Sequence, residues 1–559
     1  MVMLLGRMVF FMKKALAAVS ALTLVVLYGI LAAVIALICL LCDIAAYWSI
    51  AAVCVVLLLQ FLISPWLTDL NMKLFYKASF QAELPDYLQS FIQNICTEKN
   101  MKYPKIAIIP DGAPNAFTYG RTKNDARIVL TAGILELLDE EEVRAVTAHE
   151  LGHAVHYDML LMTAVQLVPM VLYAIYDACI RANRQATKKS SKDDNKAQAS
   201  LALIAVIAYA MYIICQYIIL WFSRTREYYA DEFAARETRN PNALASALVQ
   251  IGFGLSTCEK RAKDSEAKHS AASPSTLGIS DAKTSAGLAV CCYDNGELNR
   301  DYVKEAMKWD MWNVWAKLYE LCSTHPLISK RLIALGKLCP EFGQTPYVNF
   351  DLKKPESYAD DFARELLLIF LPWIFLLLGI IASVFLLLHP ATANLGTIVL
   401  AAGSVLAVSA SLLKHRYRHP KNFASRNVRS LLGEVKVSGI TSIPCELEGR
   451  IIGRGNPGCI FNEDFVLQDN TGIMLLDYNQ PLRVLNKIFA LFRSKEYFEK
   501  TVRIRGWYRR KPVPFVELLS FEVDGKVKKC HTVATGYVVR FILLAVTLLF
   551  LLFALSAAL

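Results

Sequence analysis

Hydrophobic and polar positions divide this chain into long apolar runs and two polar, strand- and helix-bearing stretches. Runs at 16–41, 46–64, 159–180, 199–222, 365–388, 395–413 and 537–559 each have the length and apolar content of a membrane-crossing helix. Between the second and third, residues 70–140 carry short apolar strand signals at 105–109 (KIAII) and 127–131 (RIVLT). After the sixth, residues 428–528 alternate apolar and polar positions over short segments such as 445–452, 465–467, 473–477 and 502–505. Turn signals at 453–458 and 469–472 separate them, and a helical pattern covers Pro481–Lys500. A lysine-, serine- and alanine-rich insertion at about 259–285 has no periodicity and reads as a mobile surface loop.

Composition agrees with a membrane class. Apolar residues make up 55% of the 559 positions, and the net charge of +11 is concentrated beside the apolar runs. That distribution is not a nucleic-acid footprint, and no nucleic-acid partner is expected. The 14 cysteines follow no paired spacing and fit a reduced, cytosolic setting. Arg7, Lys13 and Lys14 precede the first run, while the link around Asp43 has no lysine or arginine. The positive-inside rule therefore puts the N-terminus and the domain after residue 65 in the cytoplasm. The link at 181–198 is basic as well. Either the third and fourth runs form a hairpin that stops short of crossing, or this loop breaks the rule.

The candidate chemistry lies in Thr147-Ala148-His149-Glu150-Leu151-Gly152-His153-Ala154. Histidines four apart lie on one face of a helix and can share one cation, while the glutamate between them stands beside it as general base. Asp139 is placed to cap this helix, with Glu140, Glu141 and Glu142 in its first turn. A hydrolytic zinc needs a third protein ligand and an open fourth position. The extended HExxHxxGxxH pattern is excluded, because its glycine and last-histidine slots hold His156 and Met159. A second helix offers Ser223-Arg224-Thr225-Arg226-Glu227-Tyr228-Tyr229-Ala230-Asp231. Glu227 and Asp231, again four apart, can supply the third ligand and a carboxylate that fixes a histidine tautomer. Arg331 is a candidate partner for Asp231.

These segments, with the run 130–135 (LTAGIL) before them and Ser323-Thr324-His325-Pro326-Leu327 after, resemble the HtpX-type membrane zinc peptidases, relatives of the CAAX prenyl endopeptidases. The resemblance covers roughly residues 10–340. It implies one Zn²⁺ per chain, held by His149, His153 and Glu227, with Glu150 catalytic, His325 near the oxyanion, and Asp231 and Arg331 behind the ligands. It also implies a substrate-binding segment at Asn115, Ala116 and Phe117, within Pro114–Gly120. Its substrates would be polypeptides, misfolded membrane proteins above all, cut at the cytoplasmic membrane face in quality control.

The fold expected is a multi-pass α-helical membrane protein with a mainly helical zincin-type α+β peptidase domain and a C-terminal all-β domain similar to an OB-fold. Its parts are an N-terminal transmembrane hairpin (1–69), the peptidase domain (70–340), a second hairpin (341–424), the OB-like domain (425–536) and a last span (537–559). Two rivals differ in function: a membrane-anchored scaffold acting through the OB-like domain, and a dedicated prenyl-protein-type processing protease. Polar groups within the spans are too few and scattered for a transporter.

Overall fold

The computed structural model describes all residues except 1, 43–45, 81–82, 113, 189–194, 262–292, 295–296, 354–355, 455–463, 483–493, 512 and 559. Most of the insertion at 259–285 and most of the helical pattern at 481–500 lie outside the described residues. Among those described, six helices are long and apolar enough to cross a membrane: 15–38, 158–184, 198–238, 359–387, 393–418 and 532–556. The second run of the sequence, 46–64, lies in a further long helix, Ala46–Tyr76. Contacts divide the chain into two units.

The first unit comprises residues 1–255, 261–282 and 319–347. It opens with helices α1 (Val2–Cys42) and α2 (Ala46–Tyr76), followed by α3 (Asp86–Glu98). Strands β1 (Lys105–Ile109), β2 (Ala116–Gly120) and β3 (Ala126–Thr131) form a sheet in the order β1–β3–β2. β1 runs parallel to β3 and β2 antiparallel to it, so β2 is an edge strand. The segment Pro114–Gly120, expected to bind substrate, thus supplies a strand that packs beside the metal helix. The end of α2 is tied to this sheet through Asp69, which accepts from Tyr119 Oη at 2.6 Å and from the buried Arg127.

A short α4 (Ala132–Leu137) leads to α5 (Glu140–Val155). Its start is a reciprocal cap: Asp139 accepts from the Glu142 amide at 2.8 Å, and Glu142 accepts from the Asp139 amide at 3.1 Å. Then α6 (Asp158–Lys188) and α7 (Asn195–Thr238) form a long antiparallel hairpin against α1. Leu27, Leu31 and Val34 of α1 meet Val165, Val168 and Leu172 of α6 and Cys215, Ile219 and Phe222 of α7 in one buried cluster. The break between α5 and α6 is sharp. Tyr157 has φ of +60°, which redirects the chain at a point where the sequence suggests that one helix runs into the next. After α8 (Pro241–Arg261), the helix Ile328–Leu338 also belongs to this unit.

The second unit comprises residues 256–260, 283–318 and 348–559. Its small hairpin β4 (Tyr293–Asp294) and β5 (Glu297–Leu298) precedes the helix Arg300–Trp312. The spans Ala359–Leu387 and Ala393–Arg418 pack so tightly that a Cβ at Gly403 would lie 2.9 Å from Gly379 Cα. Then come β6 (Ala424–Ser425), β7 (Ile443–Arg454), β8 (Phe465–Asp469), β9 (Gly472–Asp477), β10 (Thr501–Lys511), β11 (Val513–Val523) and β12 (Lys526–Lys529). Five of them close a barrel in the order β7–β8–β9–β11–β10, with β10 returning to β7. The β9–β11 pairing is parallel and the other barrel pairings are antiparallel. Apolar inward positions on alternating residues fill the barrel, among them Leu447, Ile451, Phe465, Leu467, Met474, Ile504 and Phe521.

The helix Arg300–Trp312 belongs to this barrel's packing. Trp309 is fully buried, its Nε1 donating to the Val437 carbonyl at 2.6 Å. Arg510 lies over the Trp309 ring at 4.8 Å and donates to Asp310 Oδ1 at 3.1 Å. Residues 309–313, within the stretch expected to belong to the peptidase domain, thus also make contacts with the C-terminal β structure.

Candidate active site

Three elements bring the site together. α5 carries His149, Glu150 and His153, α7 carries Glu227 and Asp231, and the segment before the helix Ile328–Leu338 carries His325. α5 and α7 approach closely because Gly152 has no side chain: a Cβ there would sit 3.1 Å from Phe233 Cδ1 and 3.3 Å from Ala230 Cα. The glycine of HELGH thus sets the distance at which Glu227 faces the histidines.

His149 Nε2 and His153 Nε2 lie 3.2 Å apart. Glu227 Oε2 lies 3.6 Å from the first, and Oε1 lies 3.7 Å from the second. One donor atom from each residue falls within 4.8 Å of the others, the geometry of a candidate metal site. The fit is specific: ligands at about 2.0–2.1 Å from a tetrahedral centre stand about 3.3 Å apart. Glu227 Oε2 is buried without a well-formed hydrogen bond, facing Arg331 Nη1 at 3.5 Å and His149 Nε2 at 3.6 Å, and so keeps a lone pair for a bound cation. Two imidazoles and one carboxylate are the donor set of a hydrolytic zinc.

Both histidines are oriented from behind. His149 Nδ1 lies 3.0 Å from Asp231 Oδ1, and His153 Nδ1 donates to Asp158 Oδ2 at 2.7 Å. The His153 bond puts the proton on Nδ1 and turns Nε2 toward the cluster, and Asp231 lies beside His149 Nδ1 on the corresponding side. Each aspartate in turn has a buried arginine. Arg331 clasps Asp231 with two bonds, at 2.8 and 2.6 Å, and reaches within 3.5 Å of Glu227 Oε2. Arg226 pairs with Asp158, donates to the His156 carbonyl at 2.8 Å and reaches Ser20 Oγ of α1 at 3.0 Å.

The electrostatics follow from this shell. With no cation bound, burial disfavours charge on His149, yet the carboxylates of Asp231 and Glu227 outweigh it and hold the imidazole above its usual range; a metal ion at Nε2 would replace that proton. Burial and the adjacent His149 push His153 the other way. Burial also holds His325 below the usual imidazole range, against the pull of Glu227.

Glu150 is buried, and Thr118 Oγ1 of β2 donates to its Oε2 at 2.8 Å. His325 Nε2 lies 3.6 Å from Glu227 Oε1, while Thr324 Oγ1 stands 2.9 Å from its Nδ1. The His325 segment is fastened to α7 by Arg224, which donates to the carbonyls of Glu320 and Ser323 at 2.7 and 2.8 Å. The structure therefore gathers His149, Glu150, His153, Glu227, Asp231, His325 and Arg331. The segment 115–117 is placed differently. Asn115 is locked through its backbone to Thr131, Ala116 is buried, and the Phe117 ring packs into the core with Met72, Ile109 and Val129. Their neighbour Thr118 is the residue that reaches Glu150.

Asp158, Arg226, Arg224 and Thr118 were not found from sequence. Asp158 lies across the turn at Tyr157, so no helical spacing relates it to His153. The two arginines flanking Glu227 were the visible signal: charges within an otherwise apolar helix demand partners.

Several known proteins resemble this chain in sequence. The Peptidase family M48 pattern matches residues 83–338. A protein of Methanothermobacter thermautotrophicus described as a protease HtpX homolog is 38% identical over 205 residues, covering 37% of this chain and 73% of that one. Homologs so described from Aeropyrum pernix (29% identical, 54% of this chain and 88% of that one) and Desulforapulum autotrophicum (32%, 38% and 68%) also match. The crystal structure of S. mikatae Ste24p aligns over 58% of this chain and 67% of that one, with TM-score 0.32 and 18% identity, too loose an overlap to support more. With its metal-ready histidine–glutamate cluster and its apolar spans, the chain belongs to the M48 family among the HtpX homologues, and is an integral membrane metallopeptidase.

Proposed function

We propose that the chain is a zinc-dependent endopeptidase that cuts polypeptides at the cytoplasmic membrane face, with misfolded membrane proteins as substrates. The observation that carries this reading is the meeting of His149 Nε2, His153 Nε2 and Glu227 at 3.2–3.7 Å beside the buried Glu150. His149, His153 and Glu227 would hold Zn²⁺. When bound, zinc supplies Lewis acidity and makes water nucleophilic near neutral pH. Glu150 takes the proton of the attacking water and passes it to the leaving amine. His325, held by the loop that Arg224 fastens, donates a hydrogen bond to the developing oxyanion. Thr118 keeps the Glu150 carboxylate aimed. Asp231 with Arg331, and Asp158 with Arg226, keep the two imidazoles turned inward.

Among the described residues β2 has no strand partner on its outer edge, where an extended substrate can add as a strand through main-chain bonds that demand no sequence. Entry from the membrane is supported by α7, a single helix from Asn195 to Thr238 that carries both the apolar run and Glu227. A cytoplasmic site is supported by Arg7, Lys13 and Lys14 before the first span and by the basic cluster 414–418 after the sixth run. For the C-terminal barrel we propose an OB-fold. It is supported by strand order, since numbering β7 to β11 from one to five gives 1–2–3–5–4 closing on 1.

The test is cleavage of casein by the purified full chain. Chelation should abolish it and stoichiometric zinc should restore it. Cleavage that persists with the metal stripped, or that needs a different metal, would overturn the zinc assignment.

A further inference from the structure

The two spans of the second unit that adjoin the barrel enclose a second site. Where the helices Ala393–Arg418 and Thr532–Ser556 reach the barrel, a cavity of about 920 Å³ opens between them. One end is apolar, formed by Leu413, Tyr537 and Phe541 on the two spans. The other is polar and cationic, with Arg416, Lys421 and the Ser442 hydroxyl. None of the residues lining it is acidic. The nearby carboxylate, Glu517, is already engaged, accepting from Arg509 at 2.6 Å and standing 3.4 Å from His419 Nε2. Arg416 and Lys421 have no acidic partner among the described residues.

A helix C-terminus attracts basic residues by itself, and that is the simpler account of the charges here. It is insufficient. The macrodipole offers about half a negative charge, against three cations at 414, 416 and 421 with no carboxylate partner among the described residues, Arg418 standing 3.9 Å from Glu517. The last helical carbonyl is also already taken: Ser442 Oγ and Arg509 Nη2 both donate to Arg418 O, at 2.8 and 2.6 Å. The wall is rigid as well, because Tyr417 Oη meets Thr441 Oγ1 at 3.2 Å and the His415 ring packs on Tyr537 at 4.5 Å. A cavity at the mouth of two spans, cationic above and apolar below, has the polarity profile of one phospholipid. Its volume falls within the range of small-ligand sites, about 300–1,000 Å³.

We propose that this cavity binds an anionic phospholipid from the surrounding bilayer. Its phosphate lies between Arg416 and Lys421, and its upper acyl chain lies along Leu413, Tyr537 and Phe541. A basic pocket between spans is the expected setting for such recognition.

The experiment is lipid retention by the purified full chain, read by native mass spectrometry after adding phosphatidylglycerol or phosphatidylcholine. Wild type should retain phosphatidylglycerol selectively, and the R416Q/K421Q variant should retain it about 30-fold less, two membrane-surface cations being removed. The charge-preserving R416K/K421R variant should retain it as wild type does. Equal retention of both lipids by wild type, or undiminished retention by the glutamine pair, overturns the proposal. Displacement by millimolar inorganic phosphate would also overturn it, since the site would then take a free anion. A second measurement needs no variant: phosphatidylglycerol with a photoreactive acyl chain should label peptides containing Leu413 or Phe541 in wild type. Labelling confined to other spans would contradict the placement.

Discussion

His153 Nδ1 donates to Asp158 Oδ2 at 2.7 Å across the turn that separates the metal helix from the span that follows it. This bond ties the second histidine of HELGH to the first residue of α6. Through Arg226 and Ser20 it ties it further to α1. The membrane helices thereby hold the metal site's geometry directly. Asp158→Ala should weaken metal affinity about 10–100-fold, the usual effect of removing the carboxylate behind a ligating histidine. Competition with a chromogenic chelator measures this, and unchanged affinity would show that the ring is positioned by packing alone.

Arg331 is fully buried and makes two parallel bonds to Asp231. Arg331→Met would leave that carboxylate buried without its counter-charge, with Glu227 close by. The expected cost is about 3–5 kcal/mol of stability, read as a lowered midpoint of thermal unfolding in detergent. Arg331→Lys keeps the charge but not the planar two-bond geometry, and should fall between wild type and methionine.

Thr118 should act on turnover and not on metal. Its hydroxyl bond to Glu150 Oε2 orients the base, so Thr118→Val should lower kcat about tenfold, roughly the effect of one lost charge-assisted hydrogen bond, with metal content and KM preserved. Thr118→Ser should restore most of the rate. A threonine that serves only β2 packing would give the opposite result, with the valine variant fully active.

Much of this site was legible because its residues obey helical spacing. His149 and His153, and Glu227 and Asp231, are each four apart within one helix, so one face could be read directly. Glu227 was reachable because α7 continues unbroken from the apolar run through the ligand. What stayed hidden depends on tertiary contacts. Asp158 is related to His153 only by the turn at Tyr157, and Thr118 to Glu150 only by the pairing of β2 with β3. The side chain of Phe117 lies in the core, because successive residues of a strand face opposite sides, which leaves only the β2 backbone for the substrate role expected of this segment. The barrel strands followed from alternation. The adherence of Trp309 to the barrel did not, because its partners Val437 and Arg510 lie more than a hundred residues downstream.

That adherence has its own consequence. Asp310 and Arg510 are both fully buried and paired at 3.1 Å. Asp310→Ala would remove the buried counter-charge of Arg510 and should cost about 3–5 kcal/mol. Deleting residues 425–559 would remove Arg510 and Val437 together, exposing Trp309. Limited proteolysis should then cut within 300–318 in the truncated protein and spare it in the full chain.

In the proposed mechanism labour at the metal is divided: Glu227 binds it, and Glu150 works on water without binding it. The direct measurement is metal content and casein turnover, side by side, for wild type, Glu150→Gln and Glu227→Gln. The account predicts about one metal ion per chain and no detectable turnover for Glu150→Gln, with metal lost from Glu227→Gln. A Glu150→Gln protein that cleaves casein at close to the wild-type rate would contradict it.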